Sequence, residues 1–258
     1  MNKVISADGT SIAFDRLGHG PALILIGGGP TDRSANAALA DLLSEHFTVY
    51  NYDRRGRGDS GDTTPYAVDR EYEDIQALIT EAGGSALVYG TSGGGIIALE
   101  AAARGLSITR LAVWEPPYIL PGSRPAVPAD YADQLARLLD EDRRGDMLDL
   151  FFIAAVGIPA EFVAPMRAMP GRQAMEGIAH TLVYDAAITG DFSLPADRIA
   201  TVTVPTVVID GGTTPWLTVA AEAVAATLPG ARRHTLDGQP HNVDPAAIAP
   251  ALTAFFAG

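Results

Sequence analysis

The stretch 87–95 constrains this chain more than any other. An apolar run, Leu87, Val88 and Tyr89, ends in Gly90-Thr91-Ser92-Gly93-Gly94, and an Ala-rich segment of good helix formers, 96–104, follows. Strand, sharp turn and helix in that order place the residue at the apex in strained backbone geometry, with neighbours that must be nearly free of side chains. Gly90 and Gly94 lie two residues to either side of Ser92, and Gly93 adds further room. The Ser92 hydroxyl then projects into open space, and the N–H groups that follow it point at whatever bonds to it. By itself Gly-x-Ser-x-Gly is a small-residue loop before a helix. The strand and helix on its two sides make Ser92 a candidate nucleophile.

The rest of the chain repeats the alternation. Residues 4–6 and 11–16 alternate about Asp8-Gly9, which reads as a hairpin. Ala22–Ile26 is a continuous apolar run, as in a strand buried on both faces, and it ends in Gly27-Gly28-Gly29-Pro30. Helical spacing over 35–46 precedes a strand at 47–52 and a turn-rich loop, Asp53-Arg54-Arg55-Gly56-Arg57-Gly58-Asp59-Ser60. Residues 69–82 read as a helix with an acidic first turn, which suits the helix dipole. Strands at 86–89 and 111–114 follow, the second ending in Glu115-Pro116-Pro117. From 118 to 194 the rhythm changes to helices alone, at 131–139, 146–156, 161–169 and 172–187. A strand at 202–210, a helix at 216–227, a strand at 232–236 and a helix at 245–256 complete the chain. This pattern predicts an α/β class fold, a mostly parallel sheet with helices on both faces. Its core is 1–117 and 195–258, and 118–194 is a helical insertion near the C-terminal edge of the sheet, where ligands bind in such folds.

A net charge of −13 spread along 258 residues argues against nucleic acid or an anionic membrane surface as partner. The absence of cysteine removes disulfides, thiolate metal sites and a cysteine nucleophile, and fits a reducing cytoplasm. Residues 1–8 lack the apolar core of a signal peptide, and no run approaches the ~20 apolar residues of a membrane span. The five histidines, at 19, 46, 180, 234 and 241, form no pair at metal-ligand spacing, so neither a metal nor an organic cofactor is implied. Gly56-Arg57-Gly58-Asp59-Ser60-Gly61 matches a dinucleotide fingerprint, but Asp62-Thr63-Thr64-Pro65 follows it instead of the helix that such a site must open.

Five features together resemble the α/β-hydrolase fold superfamily over nearly the whole chain. They are Asp8-Gly9 in the hairpin, Leu25-Ile26-Gly27-Gly28-Gly29-Pro30, the loop from Tyr52 to Ser60, the turn at Ser92, and the late Gly238-Gln239-Pro240-His241. The resemblance implies a helical lid at 118–194 and a nucleophile-acid-histidine order along the chain. A serine hydroxyl is a poor nucleophile until a base takes its proton, and the resemblance makes His241, in the loop before the last helix, the candidate base. His19, His46, His180 and His234 read as structural or surface residues, with His180 the one able to line a pocket from the insertion. The backbone N–H groups of Gly93 and Gly29 are the implied oxyanion donors. Gly27 stands where the family usually has histidine, a departure that leaves the backbone donor intact. Asp53 and Arg54 belong to a signature that is mainly architectural.

The acid is open. The family's usual aspartate position, in Asp210-Gly211-Gly212-Thr213-Thr214-Pro215, is held by Thr214, which cannot stabilise an imidazolium as a carboxylate does. Glu115 is one replacement, in the place where haloalkane dehalogenases carry their acid. Asp210 is a second, and a serine-histidine dyad or degenerate site is a third. Dehalogenase activity itself is disfavoured, because its nucleophile is an aspartate. The apolar insertion, with Phe151, Phe152, Phe162 and Met166, implies a small-molecule substrate with an apolar acyl or ring group. The resemblance thus implies a serine hydrolase that cleaves an ester, lactone or similar carbonyl through an acyl-enzyme. Its competitors are a cyclase, epimerase or lyase at the same site, and a binding protein without turnover.

Overall fold

The computed structural model describes residues 1–258. Eight strands form one sheet in the order β1-β2-β4-β3-β5-β6-β7-β8. They are β1 Asn2–Ile5, β2 Ser11–Leu17, β3 Ala22–Ile26, β4 Thr48–Tyr52, β5 Ala86–Thr91, β6 Ile108–Trp114, β7 Thr206–Gly212 and β8 Arg232–Gln239. Only β2 runs against the others; it pairs antiparallel with β1 and β4, while β4, β3, β5, β6, β7 and β8 form a parallel set. The central strands are apolar on both faces because helices cover both: Leu23, Leu25, Tyr89 and Trp114 face one layer, and Ile24, Ile26, Val88 and Val113 face the other.

The first layer includes α1 Ala37–Leu43, which follows a 3-10 turn at Arg33–Asn36. The opposite layer is led by α2 Asp69–Glu81 and α3 Gly93–Ala103. Helix α3 is apolar almost all round, as a helix enclosed by other elements must be, and every residue from Gly94 to Ala102 is buried. Between β6 and β7 come α4 Tyr131–Asp140, α5 Arg144–Leu150, α6 Ala160–Met166, α7 Arg172–Gly177, α8 Leu182–Thr189 and the short α9 Ala196–Ile199. Helices α4 to α8 gather around an apolar cluster of their own that includes Leu135, Met147, Phe152 and Leu182. Helices α10 Pro215–Thr227 and α11 Pro245–Ala257 close the chain. No helix is long and apolar enough to cross a membrane.

The structure departs from the sequence pattern where backbone chemistry overrides it. The helix expected at 172–187 is interrupted by a 3-10 turn, Ala179–Thr181, just past Gly177, a poor helix former. The one expected at 146–156 widens into a π-helix over Phe151–Val156 and stops at Gly157, whose φ is 86°. The strand expected at 202–210 starts only at Thr206, because Pro205 has no N–H to give the ladder. Pro205 contributes its carbonyl instead, which accepts from the Leu111 N–H at 3.0 Å.

Candidate active site

The C-terminal ends of β3, β5, β6, β7 and β8 deliver the candidate residues to one place. Gly27, Gly28 and Gly29 follow β3, Ser92 follows β5, Glu115 follows β6, Gly211 and Gly212 end β7 with Thr213 and Thr214 just beyond it, and His241 follows β8. This is the edge at which open α/β sheets bind ligands.

Ser92 sits at the turn from β5 into α3 with φ 54° and ψ −124°. A non-glycine residue there costs on the order of 1–3 kcal/mol and persists only when its surroundings over-determine it. Here the Ser92 N–H donates to the Trp114 carbonyl at 2.8 Å, which ties the apex to β6. The two flanking glycines are sterically required. A Cβ on Gly90 would overlap the Gly94 carbonyl, and one on Gly94 would overlap the Ile26 carbonyl. Gly28 passes so near the apex that a Cβ there would lie 3.1 Å from the Ser92 Cβ.

Glu115 has φ 43° and is completely buried. Its Oε2 lies 2.6 Å from His241 Nδ1, and its Oε1 accepts from the Gly211 N–H at 3.0 Å. A carboxylate only accepts, so Nδ1 carries the proton in this contact and Nε2 is left as the basic atom. The neighbouring Trp114 indole N–H donates to the His241 backbone carbonyl at 2.8 Å. Two successive residues at the end of β6 therefore hold His241 by its ring and by its backbone. Asp210, the other carboxylate left open by the sequence, is turned away. It is ion-paired with Arg233, Nε to Oδ2 at 2.8 Å, and accepts from the Thr235 hydroxyl at 3.3 Å. Thr214 makes no hydrogen bond to His241; it precedes α10 and lines a cavity with that histidine.

Ser92 and His241 both line two cavities, and no direct hydrogen bond joins them. Such bonds are often long until substrate binds. The larger cavity, about 400 Å³, is walled by Phe151, Ala155, Ile158, Phe192, Trp216 and Leu217, with no lysine, arginine or carboxylate side chain on its wall. The smaller, about 180 Å³, lies toward Gly28, Gly29, Asn36, Thr91 and Asn242. The Gly29 and Gly93 N–H groups donate to no protein acceptor. Gly93 opens α3, so its N–H also carries the positive end of that helix dipole.

His180 lines neither cavity; its Nε2 lies 3.5 Å from Asp62 Oδ2, and burial holds its pKa below the usual histidine value. Asp53 pairs with Arg33, and Arg54 pairs with Glu71 and Asp185 at 2.7 and 2.8 Å. Burial pushes the Asp185 carboxyl up, but Arg57 and Arg54 outweigh it and hold the pKa below its ordinary value. No cluster of three His, Asp or Glu side chains is placed to hold a metal ion. The sequence reading missed Trp114 as a second support for His241, and Phe192 as a cavity wall. Phe192 carries φ 62°, which Ser92 and Glu115 share as positive-φ residues of the same site.

Comparison with known proteins gives a consistent picture. Residues 23–251 match the sequence profile described as "Alpha/beta hydrolase family". The structure of an alpha/beta hydrolase from Sphaerobacter thermophilus DSM 20745 is similar with a TM-score of 0.95 and 52% identity, over 99% of this chain and 100% of that one. A hydrolase from Pseudomonas aeruginosa PA01 is similar with a TM-score of 0.77 and 26% identity, over 100% and 98% of the two chains. Among curated sequences, the pimeloyl-[acyl-carrier protein] methyl ester esterase of Xanthomonas campestris pv. campestris is 37% identical over 101 residues, 39% of this chain. The match spans only 38% of that esterase's length.

Proposed function

The chain belongs to the alpha/beta hydrolase family, and from that premise we propose that it is a serine hydrolase of a carboxylic ester, lactone or similar activated carbonyl. The observation that carries this reading is the 2.6 Å contact between buried Glu115 and the ring of His241, which shares a cavity wall with Ser92. In this reading His241 Nε2 takes the Ser92 proton as Oγ attacks the substrate carbonyl. The oxyanion that forms is held by the Gly29 and Gly93 N–H groups, and Glu115 stabilises the imidazolium. His241 then gives its proton to the leaving oxygen, and the C–O bond to the alcohol breaks. Water, deprotonated by His241, attacks the acyl carbonyl; the bond from that carbon to Ser92 Oγ then breaks, the carboxylic acid leaves, and His241 returns the proton to Oγ.

The apolar wall of the larger cavity supports an uncharged, apolar acyl or ring group as the part of the substrate recognised. Residues 118–194 act in this reading as a lid that supplies Phe151, Ala155, Ile158 and Phe192 to that wall, over a core of 1–117 and 195–258. Ser92→Ala is expected to abolish turnover of short p-nitrophenyl esters and covalent labelling by a fluorophosphonate. Labelling that persists in the variant overturns the proposal. Labelling of the wild type without any ester turnover favours a non-hydrolytic reaction at the same serine.

A further inference from the structure

The loop after β4 contains three arginines that are almost fully buried, Arg54, Arg55 and Arg57. Arg55 pairs with Asp74 and Asp8, away from the candidate site. Arg57 does not. Its Nη1 donates to the Gly28 carbonyl at 2.7 Å and to the Thr31 carbonyl at 3.3 Å. Its Nη2 donates to both oxygens of Asp185, each at 2.8 Å. Asp185 lies on α8, and Arg54 Nη1 shares its Oδ1 at 2.8 Å. On its other side Asp185 packs against Gly29 so closely that a Cβ there would overlap the carboxylate.

The Gly28 carbonyl and the Gly29 N–H belong to one peptide unit. That unit is trans, so its C=O and N–H point in opposite directions. A guanidinium bonded to the oxygen therefore stands directly behind the N–H. It fixes the plane of the peptide and draws electron density away from the nitrogen. Hydrogen bonds chained through one amide strengthen each other in this way, the more so where water is excluded. We propose that Arg57 is a positioning residue for the reaction: through the Gly28 carbonyl it aims and polarises the Gly29 N–H toward the oxyanion, and Asp185 on α8 holds it there. This rests on the serine hydrolase reading above. It adds a specific dependence, since the donor on the β3 loop is competent only while the pair Arg57–Asp185 is intact.

A buried ion pair that merely glues α8 to the β4 loop would show the same contacts, so the test must separate the two roles. Replacing both partners together, Arg57→Met with Asp185→Leu, leaves no unpaired charge at either position and leaves Arg54 paired with Glu71 alone, and exchanges of a whole buried pair are often neutral in stability. The readouts are kcat and KM for p-nitrophenyl butyrate, inhibition by phenylboronic acid, whose Ser92 adduct places an anionic oxygen at the donors, and the melting temperature. Deleting an oxyanion donor costs about 10²–10³-fold. Weakening one is expected to lower kcat about tenfold or more in the folded double variant, with KM within about twofold and the boronate Ki raised in step with the loss. Arg57→Lys should fall between the double variant and the wild type, and decides the matter alone if the double variant does not fold. Arg55→Lys, the matched control, should lower the melting temperature and leave kcat unchanged. A folded double variant, or Arg57→Lys, with wild-type kcat and boronate Ki overturns the role of Arg57. Failure of the wild type to label at Ser92 with a fluorophosphonate overturns the serine hydrolase reading instead, so the two failures are distinguishable.

Discussion

Glu115→Gln isolates the contact on which the proposed chemistry turns. The substitution keeps the volume of a fully buried side chain and removes its charge. Glu115 accepts two hydrogen bonds, one from His241 Nδ1 and one from the Gly211 N–H. An amide has a single oxygen, so one of the two donors must lose its partner. If the oxygen stays with His241, the imidazolium loses a charge-assisted bond of about 1.5–3 kcal/mol, which is about 10- to 150-fold in rate. If the oxygen turns to Gly211, the amide N–H₂ faces Nδ1 and selects the tautomer whose Nε2 is already protonated. The base is then lost, and the reduction approaches about 10⁴-fold, as carboxylate-to-amide changes in such triads show. Both outcomes fall on kcat. The assay is initial-rate hydrolysis of p-nitrophenyl butyrate across pH, with circular dichroism to establish folding. Asp210→Asn is the companion measurement: it breaks the ion pair with Arg233 and should leave kcat within about twofold while lowering the melting temperature. A folded Glu115→Gln enzyme that keeps more than about a tenth of wild-type kcat refutes the role given to Glu115, and a large loss in Asp210→Asn moves the acid to that residue.

Two further outcomes follow from the geometry. Ala155→Phe intrudes on the 400 Å³ cavity; displacing two methylenes of a long acyl chain, at about 0.8 kcal/mol each, should cut kcat/KM for the octanoate ester roughly 15-fold relative to the acetate, and equal effects on both esters would contradict binding of the acyl chain there. His180 has its pKa lowered by burial, so the unfolded chain takes up a proton before the folded one as pH falls from the ordinary value near 6.5. Its contribution to stability is present above that pH and is lost below it. Urea unfolding of wild type and His180→Asn at pH 7.5 and 5.5 should show a smaller loss of stability on acidification in the variant, and parallel losses would exclude His180 as a source of the pH dependence.

What was legible in the sequence was whatever local sterics dictate. The Gly90-Thr91-Ser92-Gly93-Gly94 turn can be read without a structure because Gly90 and Gly94 are each forced by a backbone contact, one within a few residues and the other across one strand pair. The parallel sheet could be read from continuous apolar runs such as Ala22–Ile26. The acid could not. Glu115 follows β6 and Asp210 lies near the end of β7, and Arg233, whose side chain reaches across from β8, claims Asp210. Nothing along the chain encodes that pairing. The Arg57–Asp185 link joins residues 128 apart in sequence, and its bond to the Gly28 carbonyl is invisible to any motif. Helix breaks in the insertion were missed because the apolar spacing runs through Gly177 while the backbone does not.

The end of β6 also bears on how such an enzyme can change its preference. Because Trp114 and Glu115 hold the histidine, the proposed mechanism asks nothing of the segment after β7, and Thr214, Trp216 and Leu217 at and just beyond it line the larger cavity instead. Under the proposed mechanism, diversification of those three positions in a library reshapes selectivity while Ser92, His241 and Glu115 stay untouched, a separation unavailable where the acid sits in that same loop.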